Sequence, residues 1–339
     1  MSDTRAARNA NIFDVARLAG VSHQTVSRVI NNHPSVKPAT RERVQEAIRQ
    51  LRYRPSQAAR ALVTKRSRTI GLITPATADF GPTTLAISIA DAARDARYAI
   101  VSVNLPDAQA ASARNALEAM LRQNVEAIVV IANDVAVAEY VRDTDSATPV
   151  VVVAAGGTAH PLSLSIDQYA GARLATRHLL GLGFETVAHI AGPARNPDAA
   201  ERVRGWMAEL RAADAPPGLR LDGDWSPRSG HAAGMLLTVV PGTTAVFAAN
   251  DQMALGLVSA LGSRGLRVPD DVSVVGFDDI PEAEFMSPPL TTLRQDFARL
   301  GQQTMERVLA TIESPAPLEP GEPLATKLII RESTRPSAA

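Results

Sequence analysis

The stretch IFDVARLAGVSHQTVSRVIN, residues 12–31, contains two short helical patterns joined by a glycine. Apolar side chains recur at helical spacing from Ile12 to Ala19, Gly20 interrupts them, and Ser22 can cap a second helix. The second helix has one apolar face, and its opposite face carries side chains that can form hydrogen bonds. Such a pair is typical of a helix-turn-helix, whose second helix enters the major groove of DNA. The stretch therefore predicts a DNA-binding head.

The sequence after this stretch predicts further helical structure. A third helix is expected from Pro38 to Leu51, because proline suits the first helical position and apolar residues follow at helical spacing. The next segment, Gln57 to Val63, is too short to hold a helix alone in water. We expect it to fold only against a partner chain and DNA.

The net charge of the chain is zero, but the charge is unevenly distributed. Residues 1–68 contain 14 Lys and Arg against four Asp and Glu, a net charge of +10, and the remaining residues carry −10. A basic head on an acidic body is typical of a DNA-binding module joined to another domain. A solvated basic tail is the alternative, and the helical periodicity around the basic residues disfavours it.

The composition limits the classes of protein to which the chain can belong. At 339 residues it is long enough for two or three domains, and the lack of cysteine excludes disulfides and thiolate metal sites. No secretion signal and no apolar run of 18 residues is visible, so we expect a cytoplasmic protein without a membrane partner. The six histidines lack metal-site spacing, and Gly181 to Gly183 is too short to bind a dinucleotide. We therefore expect no cofactor, no metal and no catalytic residue.

From Thr69 onward, short apolar runs alternate with amphipathic helical patterns. This alternation predicts parallel sheets covered by helices, and about eight such units indicate two lobes with a cleft between them. The candidate strands are 69–74, 99–104, 127–131, 150–154, 187–191, 245–249 and 272–277. Helical patterns lie between these strands, for example at 85–97, 108–123, 169–182, 202–213 and 251–264.

Several ordered blocks of the sequence resemble the LacI/GalR family of bacterial transcriptional regulators. They are DVARLAGVSHQTVSRVIN (14–31), the linker YRPSQAARALVTKRSRTIGLI (53–73), GDWSPRSG (223–230), ANDQMALG (249–256), GLRVPDDVSVVGFDD (265–279), PPLTTLRQDFARLG (288–301) and LIIREST (328–334). The resemblance implies an all-α helix-turn-helix head, a hinge helix and an α/β core. The implied core is the two-lobed fold of type I periplasmic binding proteins, with parallel sheets.

The resemblance also implies domain boundaries. The chain is expected to cross between the two lobes three times. The expected domains are a head at 1–54, a hinge helix and linker at 55–68, a first lobe at 69–165 with 293–322, a second lobe at 166–292 with 323–335, and a tail at 336–339.

By the same resemblance, the second helix and the hinge contact DNA. His23, Gln24 and Arg28 take the positions that read bases, which suits their chemistry because Arg can bond guanine and Gln can bond adenine. Leu62 takes the position at which a leucine enters the minor groove and kinks the duplex. The residues implied to contact phosphates are Ser22, Thr25, Ser27 and Asn31. Ala59 and Val63 are implied to pack against either the dimer partner or the groove wall. The alternatives are a solvated helix face and a Leu62 that packs on its own lobe.

The resemblance implies a small-molecule effector, a sugar, between the lobes. Carboxylate, guanidinium and amide groups would bind its hydroxyls, Trp225 would stack on its apolar face, and Phe80 would form a second wall. The implied effector-binding residues are Phe80, Arg202, Trp225, Asn250, Asp278 and Gln295.

Residues beside this set have other expected roles. Asp251 is expected to cap a helix rather than bind the effector. Trp206 is expected to belong to the core. Arg202 and Asp278 can alternatively form a structural ion pair with each other.

At one position the sequence departs from the pattern of a sugar-binding family member. That member has an Asp after the strand that matches residues 150–153, whereas this chain has Ala154 and Ala155. The polar contact from the first lobe is therefore either missing or supplied by another residue, for which Asp79, Asn104 and Asp167 are the candidates. The ligand need not be a galactoside.

These features predict a homodimeric repressor of sugar-utilisation genes that binds double-stranded operator DNA under the control of its effector. A dimer is expected because no leucine heptad follows Arg331. The alternative is a regulator co-repressed by a purine or a phosphorylated sugar. A sugar-binding transport protein would share the lobes, but it would need a secretion signal and no basic head.

Overall fold

The computed structural model describes residues 10–30, 33–53, 66–156, 160–238, 242, 244–313 and 318–337. The chain divides into two compact units, residues 1–67 and residues 68–339. Within the described residues, no helix is long and apolar enough to cross a membrane.

Three helices of the first unit enclose a small apolar core. They are α1 (Ile12–Ala19), α2 (His23–Ile30) and α3 (Pro38–Gln50). Asn11 caps α1 in a reciprocal box with Asp14, and Gly20 ends it at a φ of 63°, where a glycine is unstrained. Ser22 Oγ accepts the Thr25 amide at 3.2 Å and so caps α2. The buried core residues are Val15, Ala16, Ala19, Val26, Val29, Val44 and Ala47.

The first lobe of the second unit is built on a five-stranded parallel sheet in the order β2-β1-β3-β4-β5. Its strands are β1 (Thr69–Pro75), β2 (Ala99–Leu105), β3 (Ala127–Ile131), β4 (Val150–Val153) and β5 (Ser163–Leu164). The helices in this stretch of chain are α4 (Phe80–Asp95), α5 (Ala110–Arg122) and α6 (Val135–Arg142). β3 is buried along its whole length, as expected of a parallel strand covered on both faces.

The second lobe is built on a four-stranded parallel sheet in the order β7-β6-β8-β9. Its strands are β6 (Ala188–Ala191), β7 (Arg220–Asp222), β8 (Ala245–Ala248) and β9 (Ser273–Val275). The helices in this stretch of chain are α7 (Gln168–Gly181), α8 (Pro197–Ala212), α9 (Pro227–Leu237) and α10 (Asp251–Ser263), followed by a 3-10 turn (Pro281–Phe285).

The chain then contributes to both lobes. An antiparallel pair, β10 (Thr292–Arg294) and β11 (Lys327–Ile329), flanks the last long helix, α11 (Phe297–Glu313). The side chains of Phe297 and Leu300 join the core cluster of the first lobe, whereas Leu293 belongs to a cluster of the second. The two-lobed α/β core predicted from the sequence is confirmed.

The elements differ from the sequence expectation where the signals are weak. All seven candidate strands are present, including the three-residue β9, which lies within the apolar run 272–277. The strands β5, β7, β10 and β11 were not expected, because no apolar run of that length marks them. Helices α6, α9 and α11 lie between strands, as the alternation predicts, although their bounds were not predicted individually. The expected starts of two helices were wrong, because α4 begins at Phe80 rather than Leu85 and α8 begins at Pro197 rather than Arg202. Proline at the first position and the Asn196 cap start α8 early.

Candidate functional site

A space of about 740 Å³, which includes solvent at its open mouth, lies between the facing edges of the two lobes. It lies at the carboxyl ends of parallel strands, where open α/β sheets bind ligands. All six residues implied to bind the effector line this cleft. Among the other lining residues are Asp79, Asn133, Ala154, Ala155, Gln168, Asn196, Asp198 and Phe297.

Arg202 is buried at the floor of the cleft and is fully engaged with the protein. Its Nε donates to Gln168 Oε1 at 2.9 Å, and its Nη1 donates to the carbonyl of Ala249. Its Nη2 lies 3.6 Å from Asp278 Oδ1, so the structural ion pair considered as an alternative is present. The guanidinium also lies over the ring of Phe277, 3.8 Å from its centroid. Arg202 therefore organises the floor of the cleft.

Asp278 is held between this guanidinium and an amide. Gln295 Nε2 donates to Asp278 Oδ1 at 2.6 Å, and Gln168 Nε2 donates to Gln295 Oε1 at 2.9 Å. Burial raises the pKa of Asp278 to about 7, against the opposing effect of Arg202. Its backbone has a φ of 116°, an unfavourable conformation for a non-glycine residue. Strain of this kind is concentrated at functional sites.

The expected role of Asp251 was wrong, because Asn250 caps α10 instead. Asn250 Oδ1 accepts the Met253 amide at 2.9 Å, and its Nδ2 donates to the Trp225 carbonyl at 3.1 Å. Asp251 is the first helical residue and is fully buried, accepting the Ile280 amide at 2.9 Å. Asp251 does not line the cleft, whereas Asn250 both lines it and holds Trp225 in position.

Two aromatic side chains provide apolar surface in the cleft. Trp225 has a φ of 73°, and its indole packs against Gly192, where any Cβ would collide with the ring. Phe80 begins α4 and meets Phe297 edge-on, with ring centroids 6.0 Å apart. Trp206, by contrast, is buried in the second lobe and donates from its indole to the Val187 carbonyl at 2.9 Å, as expected of a core residue.

The residue that sequence reasoning missed is Asp198. It lies in the first turn of α8, in the second lobe, and its Oδ1 accepts the amide of Ala155 at 3.2 Å. An acid therefore reaches the alanine pair from the opposite lobe. The early start of α8 at Asn196-Pro197 was the signal that could have found it.

Asp79, Asn104 and Asp167 were the candidates to supply the polar contact that is absent at Ala154, and the structure places them differently. Asp79 lines the cleft. Asn104 accepts the Thr74 hydroxyl at 2.8 Å, and Asp167 caps α7 by accepting the Ala170 amide at 2.8 Å, and neither is among the lining residues. Of the three, Asp79 remains a candidate for the missing contact.

Beside Asp198, a second set of contacts joins the two lobes. Arg195 binds Asp134 through two hydrogen bonds of 2.9 Å, and its carbonyl accepts the Val135 amide at 3.1 Å. Asn196 Nδ2 donates to the Asn133 carbonyl at 3.1 Å. We call Asn133, Asp134, Arg195 and Asn196 the latch. It holds the lobes together at the rim of the cleft.

In the first unit, α2 presents its polar face to solvent. The side chains of His23, Gln24 and Arg28 are exposed, while Val26 and Val29 are buried beneath them. Ser22 is exposed and its hydroxyl bonds that of Thr25 at 3.0 Å, and Ser27 is half-buried. The remaining residues implied to contact DNA, Asn31, Ala59, Leu62 and Val63, lie outside the described residues.

Comparison with family models matches both units. Residues 11–56 match the model described as bacterial regulatory proteins, lacI family. Residues 176–334 match the periplasmic binding protein-like domain.

Known proteins resemble the chain over nearly its full length. The lactose operon repressor of Escherichia coli (strain K12) is 33% identical over 95% of this chain and 90% of its own length. The HTH-type transcriptional repressor PurR of Haemophilus influenzae (strain PittEE) is 34% identical over 89% of this chain and 91% of its own.

Solved structures share the fold. The lac repressor dimer bound to operator and the anti-inducer ONPF has a TM-score of 0.91, with 33% identity, covering 97% of this chain and all of that one. The complex of the transcriptional regulator CelR with cellobiose has a TM-score of 0.71, with 30% identity, covering 96% of this chain and 99% of that one.

Proposed function

This chain belongs to the lacI family of bacterial regulatory proteins, and from that premise we propose that it is a repressor whose affinity for operator DNA is set by a sugar bound in its cleft. The observation that carries the proposal is the presence of both parts in one chain. A helix-turn-helix with a free polar face lies in one unit, and a polar, aromatic-walled cleft lies in the other.

The DNA-reading residues are proposed to be His23, Gln24 and Arg28. They are exposed on a helix that is buried on its other side, which leaves their hydrogen-bonding groups available to base edges. Ser22, Thr25 and Ser27, with Asn31 in the sequence beside them, are proposed to position the head on phosphates. Ala59 and Leu62 are proposed to act in the minor groove, on the resemblance alone.

The effector-binding residues are proposed to be Phe80, Arg202, Trp225, Asn250, Asp278 and Gln295, with Asp198 added from the structure. Trp225 and Phe80 supply faces for an apolar ring surface. The amides and carboxylates supply hydrogen-bond acceptors and donors for hydroxyls. The site as a whole suits a small hydroxyl-bearing ligand rather than an extended polymer.

The coupling is proposed to work through a homodimer that binds a pseudo-palindromic operator, one head to each half-site. The effector changes the angle between the lobes, and the hinge around Leu62 then leaves the minor groove. Linkage requires that operator weakens effector binding by the same factor by which effector weakens operator binding. A co-repressor, such as a purine, would instead strengthen both.

The proposal excludes a catalytic role for the cleft. The relatives are transcriptional regulators, and the most deeply engaged carboxylate of the cleft, Asp278, is already bound by Arg202 and Gln295. Turnover of a sugar or nucleoside by the purified protein would contradict this part of the proposal.

The test is selection of a DNA site from a random library, followed by anisotropy titration of the selected duplex. We expect a palindromic site bound by a dimer, and Arg28→Ala should lose base preference at one position per half-site. Arg43→Ala is the matched control, because it removes an exposed charge from α3 rather than from the reading face. Failure to enrich any sequence, or a stable tetramer in light scattering, would contradict the proposal.

A further inference from the structure

The effector cleft carries more negative than positive side chains. The carboxylates of Asp79, Asp198 and Asp278 all line it. Among the described lining residues, Arg202 is the one cation. The cleft would therefore repel an anion unless Arg202 were free to receive it.

Arg202 is not free. Its side chain is 4% exposed, and its nitrogens already meet Gln168, the Ala249 carbonyl and Asp278. A phosphate or carboxylate on the ligand would have to displace at least one of these acceptors and would then lie beside Asp278. A phosphorylated sugar, one of the alternatives raised by the sequence, is disfavoured on this ground.

Asp198 and Asp79 are in the opposite situation. Asp198 accepts one backbone amide through Oδ1, and burial raises its pKa against the opposing charge of Arg202. Within the described residues, neither its Oδ2 nor the Asp79 carboxylate accepts a hydrogen bond or has a cation within ion-pair distance. Both acids nevertheless act on the same centre, because each raises the pKa of Asp278. Two carboxylates that have no cation in ion-pair contact and face a space open to a ligand are best matched by a cation on the ligand.

We propose that the effector is a hydroxyl-bearing amine of the amino-sugar class, with its ammonium paired to Asp198 and Asp79. Its hydroxyls lie against Asn250 and Gln295, and its ring face lies on Trp225. This inference rests on the proposed function for the location of the site and adds the charge of the ligand. Neutral sugars should bind the same cleft more weakly, and sugar phosphates should not bind.

The experiment uses matched ligands that differ only in charge. Full-length protein is titrated by calorimetry and thermal shift with glucosamine, galactosamine and mannosamine, with their neutral parent sugars, and with the 6-phosphates of the parents. The pH is kept where the amines are protonated. The binding amine should exceed its neutral parent by about tenfold in affinity, as one desolvated ion pair allows.

Asp198→Asn tests the assigned carboxylate. It should lower the affinity for the amine about tenfold, while the affinity for the neutral parent sugar stays within about twofold of that of the unsubstituted protein. Glu201→Gln is the matched control. It removes a negative charge from the same helix, but Glu201 is paired with Arg204 at 2.6 Å. The control should retain the amine preference, and a loss of preference in both variants would contradict the assignment.

The outcomes separate this inference from the proposed function. The inference is overturned if a neutral sugar binds as tightly as its amine, or if a 6-phosphate binds more tightly. The proposed function, a regulator controlled by a sugar, is not affected by either result. Absence of binding by every amine also overturns it. Operator binding is measured on the same preparation, so that a failure to bind DNA counts against the proposed function alone.

Discussion

The reading helix α2 and the effector cleft are both polar, but their polar groups are arranged in opposite ways. On α2, Gln24 and Arg28 are exposed on a helix whose other face is buried. In the cleft, Arg202 and Asp278 are buried and already paired through Gln168 and Gln295. DNA forms many contacts, so the exposed side chains of the helix that binds it can become ordered when the complex forms. A small ligand forms few contacts, which cannot offset the free energy of ordering many side chains, so the protein itself holds its binding site in shape.

This difference predicts different costs for the same kind of change. Substitution on α2 should alter DNA binding with little effect on folding. Substitution of a buried, paired group in the cleft should alter folding as well as binding. The following predictions test that contrast, from the largest effect to the smallest.

Arg202→Met should lower the free energy of unfolding by about 3–5 kcal/mol, because it leaves the buried Asp278 without its cation. Urea unfolding of the purified variant measures the loss. The double variant Arg202→Met with Asp278→Asn should recover part of it, since the uncompensated carboxylate is then gone. If Arg202→Met alone were as stable as the parent, the ion pair with Asp278 would not contribute to the free energy of unfolding.

His189 should make the second lobe sensitive to acid. It is fully buried between Trp206 and Phe247, and burial lowers its pKa to about 3, because the charged form is poorly solvated there. In the unfolded chain, the imidazole of His189 is protonated with a pKa near 6.5. Its contribution to the free energy of unfolding is therefore fully present above that pH and falls as the pH drops toward 3. Between pH 7.5 and pH 5, His189 alone should lower the free energy of unfolding by about 2 kcal/mol.

The measurement for His189 is urea unfolding at both pH values in the parent and in His189→Leu. The leucine variant should lack about 2 kcal/mol of the pH-dependent loss. His231→Leu, on α9, is the control and should keep the loss of the parent. Identical pH profiles for parent and His189→Leu would contradict the assignment.

Arg28→Ala should weaken operator binding by about tenfold, or about 1.4 kcal/mol, while leaving the urea midpoint unchanged. The reason is that Arg28 is exposed on the reading face and contributes little to the packing of the head. Anisotropy with the selected operator and with single-base variants measures the effect. A large drop in stability would break the contrast between the helix and the cleft.

Arg195→Ala should raise the effector concentration of half-response by about threefold, because it removes an exposed partner of the latch that joins the lobes. Operator release measured against effector concentration gives the shift. Arg204→Ala, whose partner Glu201 lies on the same helix, is the control. An unchanged half-response would show that the latch does not contribute to closure.

The fold could be predicted from the sequence largely because its signals are local. Gly20 and Ser22 mark the turn of the head, and the apolar runs of β3 and β4, rich in β-branched residues, favour buried strands. The short strands β5, β7, β10 and β11 lie in no such run, so they are recognised only from the neighbouring strand with which each one pairs.

The candidate site was predicted less completely, because proximity across the cleft is not a local property. Five residues came from the family resemblance and Phe80 from its place after the first strand, and all six line the same cleft. Asp198 was missed because its partner, Ala155, is 43 residues away and lies on the other lobe. Asp251 was assigned the cap because Asp commonly caps helices, whereas Asn250 one residue earlier holds that position.

The central claim is that the cleft and the head are coupled, and reciprocal titration tests it most directly. Among the amino sugars and neutral parent sugars named above, the one that stabilises the protein most in the thermal shift is chosen. It is titrated with and without saturating operator, and operator is titrated with and without that sugar. We predict that each weakens the other by the same factor, of about tenfold or more. An operator affinity that stays unchanged while the sugar saturates the cleft would contradict the account.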